Sequence, residues 1–214
     1  KTKGFYDSKV TSKISYPDDQ GAVVQFIIDE GVKMYIKEIT VEGNTTFDDD
    51  ELLDLIQTDE KWFLSWLMED GLLDMNVVHQ DAGRIVTFYN DQGFLEAKIG
   101  EPEIRQEKEW LYVNFIVEEG PRFRVGTVDF AGDLLEGKDA MVDLLTIRDK
   151  KYLSRQAIRN DILKLTDYYA EAGFAFASIK PIMNKGPSGE RMDVTFDIRK
   201  NNLFKAINIS DIAT

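Results

Sequence analysis

Phe88-Tyr89-Asn90-Asp91-Gln92-Gly93-Phe94 is the stretch whose reading decides the fold of this chain. A helical pattern runs into the glycine and an extended pattern leaves from the phenylalanine. A residue without Cβ adopts the positive φ of a helix C-cap cheaply, so the stretch predicts that a helix stops and a strand starts here. The same junction stands at Tyr168-Tyr169-Ala170-Glu171-Ala172-Gly173-Phe174, and again as Gly4-Phe5. One junction met three times predicts a repeat.

Working outward, the helix before Gly93 begins near Asp74, a residue type that caps helix N-termini, and places Val78, Ala82, Ile85 and Tyr89 on one face. Ahead of it lie a strand from Tyr35 to Val41, a Gly43-Asn44 turn and a first helix from Asp48 to about Gln57. Beyond Gly93, Phe94 to Ile99 reads as a strand, Pro102 interrupts, and Leu111, Val113, Phe115 and Val117 alternate along a second strand. The order then recurs. It comprises a strand from Arg124 to Phe130, a turn at Gly132-Asp133, and a helix from Lys138 to Leu145. A Ser154-capped helix follows with Ile158, Ile162, Leu165, Tyr169 and Ala172 in its stripe, then strands from Ala175 to Lys180 and from Met192 to Ile198.

The spacing is regular. Phe5 to Phe26 and Phe94 to Phe115 each span 21 residues and Phe174 to Phe196 spans 22, with closing strands Val24-Phe26-Ile28, Val113-Phe115-Val117 and Val194-Phe196-Ile198. Strand, helix, helix, strand, strand at a period of 80–90 residues predicts α+β modules in series, each burying one sheet face under two helices. Gly31, Gly120-Pro121 and Asn201 mark the joints. Residues 1–31 then read as the C-terminal fragment of a module, 32–121 and 122–201 as complete modules, and 202–214 as the first strand of another. The chain opens just before a helix cap and closes just inside a new strand pattern, which predicts a piece of a longer protein.

Composition removes several function classes. With 214 residues and 43% hydrophobic content the chain is long and apolar enough for globular cores. A net charge of −13 opposes nucleic acid and anionic lipid, both of which need a positive footprint. Zero cysteines exclude disulfides and thiolate metal sites, and His79 alone supplies imidazole. No apolar run approaches the roughly 18 residues of a membrane-spanning helix, so the sequence predicts a soluble chain. Asp48-Asp49-Asp50-Glu51 lacks the ligand spacing and glycine of a calcium loop and suits a helix N-terminus instead. Gly186-Pro187-Ser188-Gly189 lacks the lysine and following helix of a phosphate loop, and reads as a turn. His79 aligns with Arg159 on the outward side of its helix, the place of a solvated residue. A glycosidase-type carboxylate pair needs a concave site, whereas the acids here recur on helix starts and turns.

The Tyr-x-x-x-Gly-Phe junction, the Val-x-Phe-x-Val closing strand and the opening Ile36-x-x-Ile39-x-Val41-x-Gly43-Asn44 resemble the polypeptide-transport-associated (POTRA) domain. As an array, the chain is similar to the periplasmic arm of the outer-membrane protein assembly factor BamA family. Ala131-Gly132-Asp133 departs from the Glu-Gly-Asn turn, and Asp211 stands where a further copy has glycine. The resemblance implies β-α-α-β-β modules with two helices on a three-stranded mixed sheet. It also implies a place in the periplasm of a Gram-negative bacterium, and an outer-membrane anchor through a C-terminal barrel beyond these residues. The implied partners are unfolded outer-membrane β-barrel polypeptides and accessory assembly lipoproteins, with no nucleic acid, no cofactor and no catalysis. The alternative is a POTRA array from a related two-partner secretion or translocation barrel transporter.

Two stretches are candidate sites. In the family the second strand lies at a sheet edge, which here implies Leu95, Glu96, Ala97, Lys98 and Ile99, and Ala175, Phe176, Ala177, Ser178, Ile179 and Lys180. Proline cannot donate to a ladder, so Pro102 and Pro181 suit such edges, and an open edge accepts an extended peptide by strand addition. The other reading is an edge that is solvated or covered. The second stretch, between the two helices of residues 32–121, holds Trp62, Phe63, Trp66, Leu67 and Met68. Aromatics this dense suit a partner or inter-domain contact, or a stretch folded into its own core.

Overall fold

The computed structural model describes residues 8–18, 21–31, 34–60 and 72–201. The decisive junction is a Schellman motif, formed twice. Gly93 and Gly173 have φ of +97° and +93°, Phe94 N–H donates back to Tyr89 O at 3.0 Å, and Phe174 N–H donates to Tyr169 O at 2.8 Å. The Tyr89 and Phe94 rings meet edge-on at 5.4 Å, the apolar contact that accompanies this cap. Tyr169 does a second job: its hydroxyl donates to Asp133 O at 2.9 Å, tying the helix to the turn after the first strand.

The elements are β1 (Lys9–Asp18), β2 (Gly21–Asp29), β3 (Tyr35–Glu42), α1 (Asp49–Leu53), α2 (Met75–Asp91), β4 (Lys98–Ile99), β5 (Glu103–Glu107) and β6 (Trp110–Glu118). They continue as β7 (Arg124–Gly132), α3 (Lys138–Val142), α4 (Arg155–Glu171), β8 (Ser178–Lys185) and β9 (Arg191–Arg199). They form two compact units. One draws on residues up to Thr87 with Ala97–Glu119, the other on Phe88–Glu96 with residues from Gly120 onward.

In each unit the closing strand is central. β6 runs parallel to β3 and antiparallel to β4 and β5; β9 runs parallel to β7 and antiparallel to β8. The expected mixed α+β architecture is present. Alternation decides which face is buried: Leu111, Val113, Phe115 and Val117 face inward from β6, as do Met192, Val194, Phe196 and Ile198 from β9. In the second unit these meet Ile158, Leu165 and Tyr169 of α4 and Met141 of α3. β1 and β2 form a separate antiparallel hairpin in which residues 9–16 and 21–29 are exposed, including Phe26 and Ile28.

Several local expectations need correction. The first helices are shorter than read, closing at Leu53 and Val142 and each followed by a turn, and in the second unit a 3-10 turn stands further on at Ile147–Asp149. The strands after each Gly-Phe begin late: Leu95, Glu96 and Ala97 lie in a turn before β4, and Ala175, Phe176 and Ala177 in a turn before β8. Ala177 N–H closes the latter turn on Phe174 O at 3.0 Å. The helical stripes also differ from the reading: Ala172 is exposed, and Asp81 and Asp161, which the stripes leave out, are fully buried. Asp161 accepts from Thr146 N (2.8 Å), Thr146 Oγ1 (2.6 Å) and Ile147 N (2.8 Å). Asp81 accepts from Gln57 N and Thr58 N, each at 2.9 Å, and from the Thr58 hydroxyl and Arg84. One carboxylate per unit thus fastens the loop between two helices to the second of them.

Within the second unit, Ser154 Oγ caps α4 by accepting from Ala157 N at 3.0 Å. Asp91 Oδ1 adds to this cap, accepting from Gln156 N at 2.6 Å and from Ser154 Oγ at 3.2 Å. Removing Asp91 strands one helical N–H and one hydroxyl, so Asp91→Ala is expected to cost about 1 kcal/mol. Thermal unfolding checks this. An unchanged midpoint would mean that water replaces the carboxylate without loss.

Candidate functional site

A three-stranded sheet has two edges, and here they are not equivalent. β3 is bulged between Ile36 and Glu38, and β7 between Val125 and Val128. Side chains occupy backbone donors at both places: Glu60 Oε1 accepts from Ile39 N at 2.9 Å, and Asp193 Oδ1 from Thr127 N at 2.6 Å. The start of each strand is also bridged, Tyr35 by Leu72 and Arg124 by Tyr152. Bulges and occupied donors are how proteins close an edge to further pairing.

The opposite edges lack these devices. In the first unit that edge is broken, with β4 and β5 separated by Gly100-Glu101-Pro102. In the second it is one run of eight residues, β8, paired to β9 without a register shift. The Gly186 N–H to Arg191 O bond of 2.9 Å sets the alternation along this ladder. Counting back from it, Lys185, Met183, Pro181 and Ile179 fall in non-hydrogen-bonded pairs and turn their backbone polar groups outward. Proline is tolerated at position 181 for that reason: its nitrogen faces the open side and no ladder bond is lost. The open side therefore offers three N–H donors, on Ile179, Met183 and Lys185, and four carbonyls.

Of the sequence-read edge residues, Lys98 and Ile99 lie in β4 and Ser178, Ile179 and Lys180 in β8. The reading missed Pro181 through Lys185, because it placed Pro181 just after an edge strand ending at Lys180, whereas the strand runs through the proline to Lys185. The alternation of Ile179, Pro181 and Met183 with Lys180, Ile182 and Asn184 was the available signal. β5 was also missed; Glu103-Ile104-Arg105-Gln106-Glu107 carries one apolar residue and pairs through its backbone. Trp62, Phe63, Trp66, Leu67 and Met68 lie outside the described residues. His79 is half exposed and its Nε2 stands 2.9 Å from Glu101 Oε2. Among the described residues no helix is long and apolar enough to cross a membrane, which says nothing of a β-barrel.

The POTRA family model, described as surface antigen variable number repeat, matches residues 34–120 and again 123–201. The chain belongs to the POTRA family. Its relatives include a protein named outer membrane protein assembly factor BamA from Nitratidesulfovibrio vulgaris, 28% identical over 203 residues. That match covers 92% of this chain and 26% of the relative. A BamA from Neisseria meningitidis serogroup B is 26% identical over 187 residues, 85% of this chain and 24% of that protein. The POTRA array thus spans about a quarter of the length of these relatives. In fold it resembles the crystal structure of Haemophilus influenzae BamA POTRA3-5, with a TM-score of 0.61 at 13% identity, over 84% of this chain and 74% of that one.

Proposed function

We propose that this POTRA array is a non-catalytic binding scaffold that receives unfolded outer-membrane β-barrel polypeptides in the periplasm of a Gram-negative bacterium. Accessory assembly lipoproteins share the scaffold, and a barrel elsewhere in the protein anchors it. The relatives' names support outer-membrane assembly as the setting. The observation that carries the reading is the eight-residue open edge β8, paired on one side only and free of bulges. A barrel strand not yet folded has its own unpaired N–H and C=O groups, so adding it to β8 satisfies both chains at once. We also infer that the β1–β2 hairpin is the trailing strand pair of another such unit. Its pairs Val10 with Ile28, Ser12 with Phe26 and Ile14 with Val24 match Ile179 with Ile198, Pro181 with Phe196 and Met183 with Val194.

Two proline substitutions test strand addition. Met183→Pro removes an outward N–H and spares the ladder, so thermal stability should fall little. Affinity for a peptide copied from a barrel strand, read by fluorescence anisotropy, should fall about tenfold, the worth of roughly one well-made hydrogen bond in a desolvated edge. Ile182→Pro, one residue away, removes a ladder bond to β9 instead and should lower stability by roughly 1–3 kcal/mol. Peptide affinity unchanged by Met183→Pro, with no added amide protection along β8, would overturn the proposal.

A further inference from the structure

The second unit carries a concentration of positive charge that its fold does not explain. Arg124 and Arg191 stand directly opposite one another in the parallel β7–β9 pair, and Tyr152 bridges Arg124 from the other side. Paired residues on neighbouring strands share a face, so the three side chains lie side by side. The Arg122 guanidinium stacks on Tyr152 at 3.5 Å from the ring centroid, and Lys151 Nζ is 5.1 Å from the same ring. Desolvation raises the pKa of the Tyr152 phenol, but the Lys151 hydrogen bond and the fields of Arg122, Lys151 and Arg124 outweigh it and leave the phenol below its ordinary value.

No acid neutralises the Arg124–Arg191 pair itself. Among the described residues neither Arg124 nor Arg191 has a carboxylate oxygen within 4.0 Å. The Arg124 backbone N–H donates to Glu190 O at 2.9 Å, a bond between the main chains alone. Glu96 is paired with Lys185 at 2.9 Å, and Asp193 is taken by Thr127 N–H. Like charges directly opposite across a strand pair are destabilising. The first unit solves the same position differently, with Tyr35 opposite Trp110 and Leu72 as the bridge. The fold therefore needs no arginine there.

We propose that the Arg124–Arg191 pair, with Tyr152 and Arg122 beside it, docks an acidic segment of a partner protein. Guanidiniums match carboxylates fork to fork, and arginine and tyrosine are both enriched among the residues that carry interface binding energy. A chain of net charge −13 is repelled by an anionic membrane as a whole, whereas one short acidic segment meets the local field of the patch. This face is separate from the open side of β8 and does not depend on strand addition.

The test uses the 214-residue chain and a fluorescent oligoglutamate peptide. The parent should bind the peptide with an affinity that falls as salt rises, and Arg124→Ala with Arg191→Ala should weaken binding about tenfold or more. Lys9→Ala with Lys13→Ala, two exposed cations elsewhere, should leave it unchanged. Arg124→Glu places opposite charges across the β7–β9 pair, so it should abolish binding while the melting temperature holds or rises, which separates lost docking from lost folding. Equal losses in the lysine and arginine variants, unchanged binding in the arginine variants, or arginine-dependent capture by phosphatidylglycerol vesicles would overturn the proposal.

Discussion

Gly132→Ala is expected to destabilise the second unit by roughly 3 kcal/mol or more, a loss of over about ten degrees in melting temperature for a body of this size. Two terms add. The residue sits at φ +86°, where an L side chain costs about 1 kcal/mol. A Cβ there would also stand 2.2 Å from Ile198 O, so the parallel β7–β9 pair must part to admit it. Gly43 repeats the geometry in the first unit, with φ +84° and Val117 O at 2.2 Å, and Gly43→Ala should behave alike. Gly173→Ala is the internal control. It has φ +93° but nothing within 4 Å of its Cβ, so only the conformational cost applies. If circular-dichroism melts show Gly132→Ala no more harmful than Gly173→Ala, the close approach to the carbonyl is not what selects glycine at position 132.

Asp161→Ala should cost a similar amount, about 3 kcal/mol or more. The carboxylate has no exposed surface and gathers three donors from Thr146 and Ile147; alanine leaves two backbone N–H groups and a hydroxyl without that acceptor, the Ile147 N–H in a buried site. Asp161→Asn keeps one acceptor oxygen but turns an amide NH₂ toward those donors, so its loss should be intermediate. Denaturant unfolding with an unchanged m-value would read this as stability alone. A loss under about 1 kcal/mol for the alanine variant would mean that the loop finds other acceptors.

These two residue types differ in how legible they were. The glycines could be read because turn chemistry is local: Gly93-Phe94 and Gly132-Asp133 announce a positive φ from their immediate neighbours, and both are found where expected. The closing strands could be read because their burial follows a period of two. Asp81 and Asp161 could not, because a polar residue in an apolar stripe looks like a break in the pattern. What makes each fit is a pair of backbone donors 14 to 24 residues away. The candidate edge was half legible for a related reason. Lys180 and Ile179 were placed, but Ile182 through Lys185 follow a proline, and which side of a strand a proline faces depends on the partner strand. The arginine patch was not read at all, since Arg124 and Arg191 become neighbours only when the chain has closed a parallel crossover.

The bulges in β3 and β7 have a consequence for stoichiometry. A body whose sheet can be extended on one flank alone has a valence of one: a guest laid along β8 cannot be met by a second guest across the same sheet. Under the proposed strand addition each such body takes at most one guest, and no single body can seed an endless cross-β stack from both flanks.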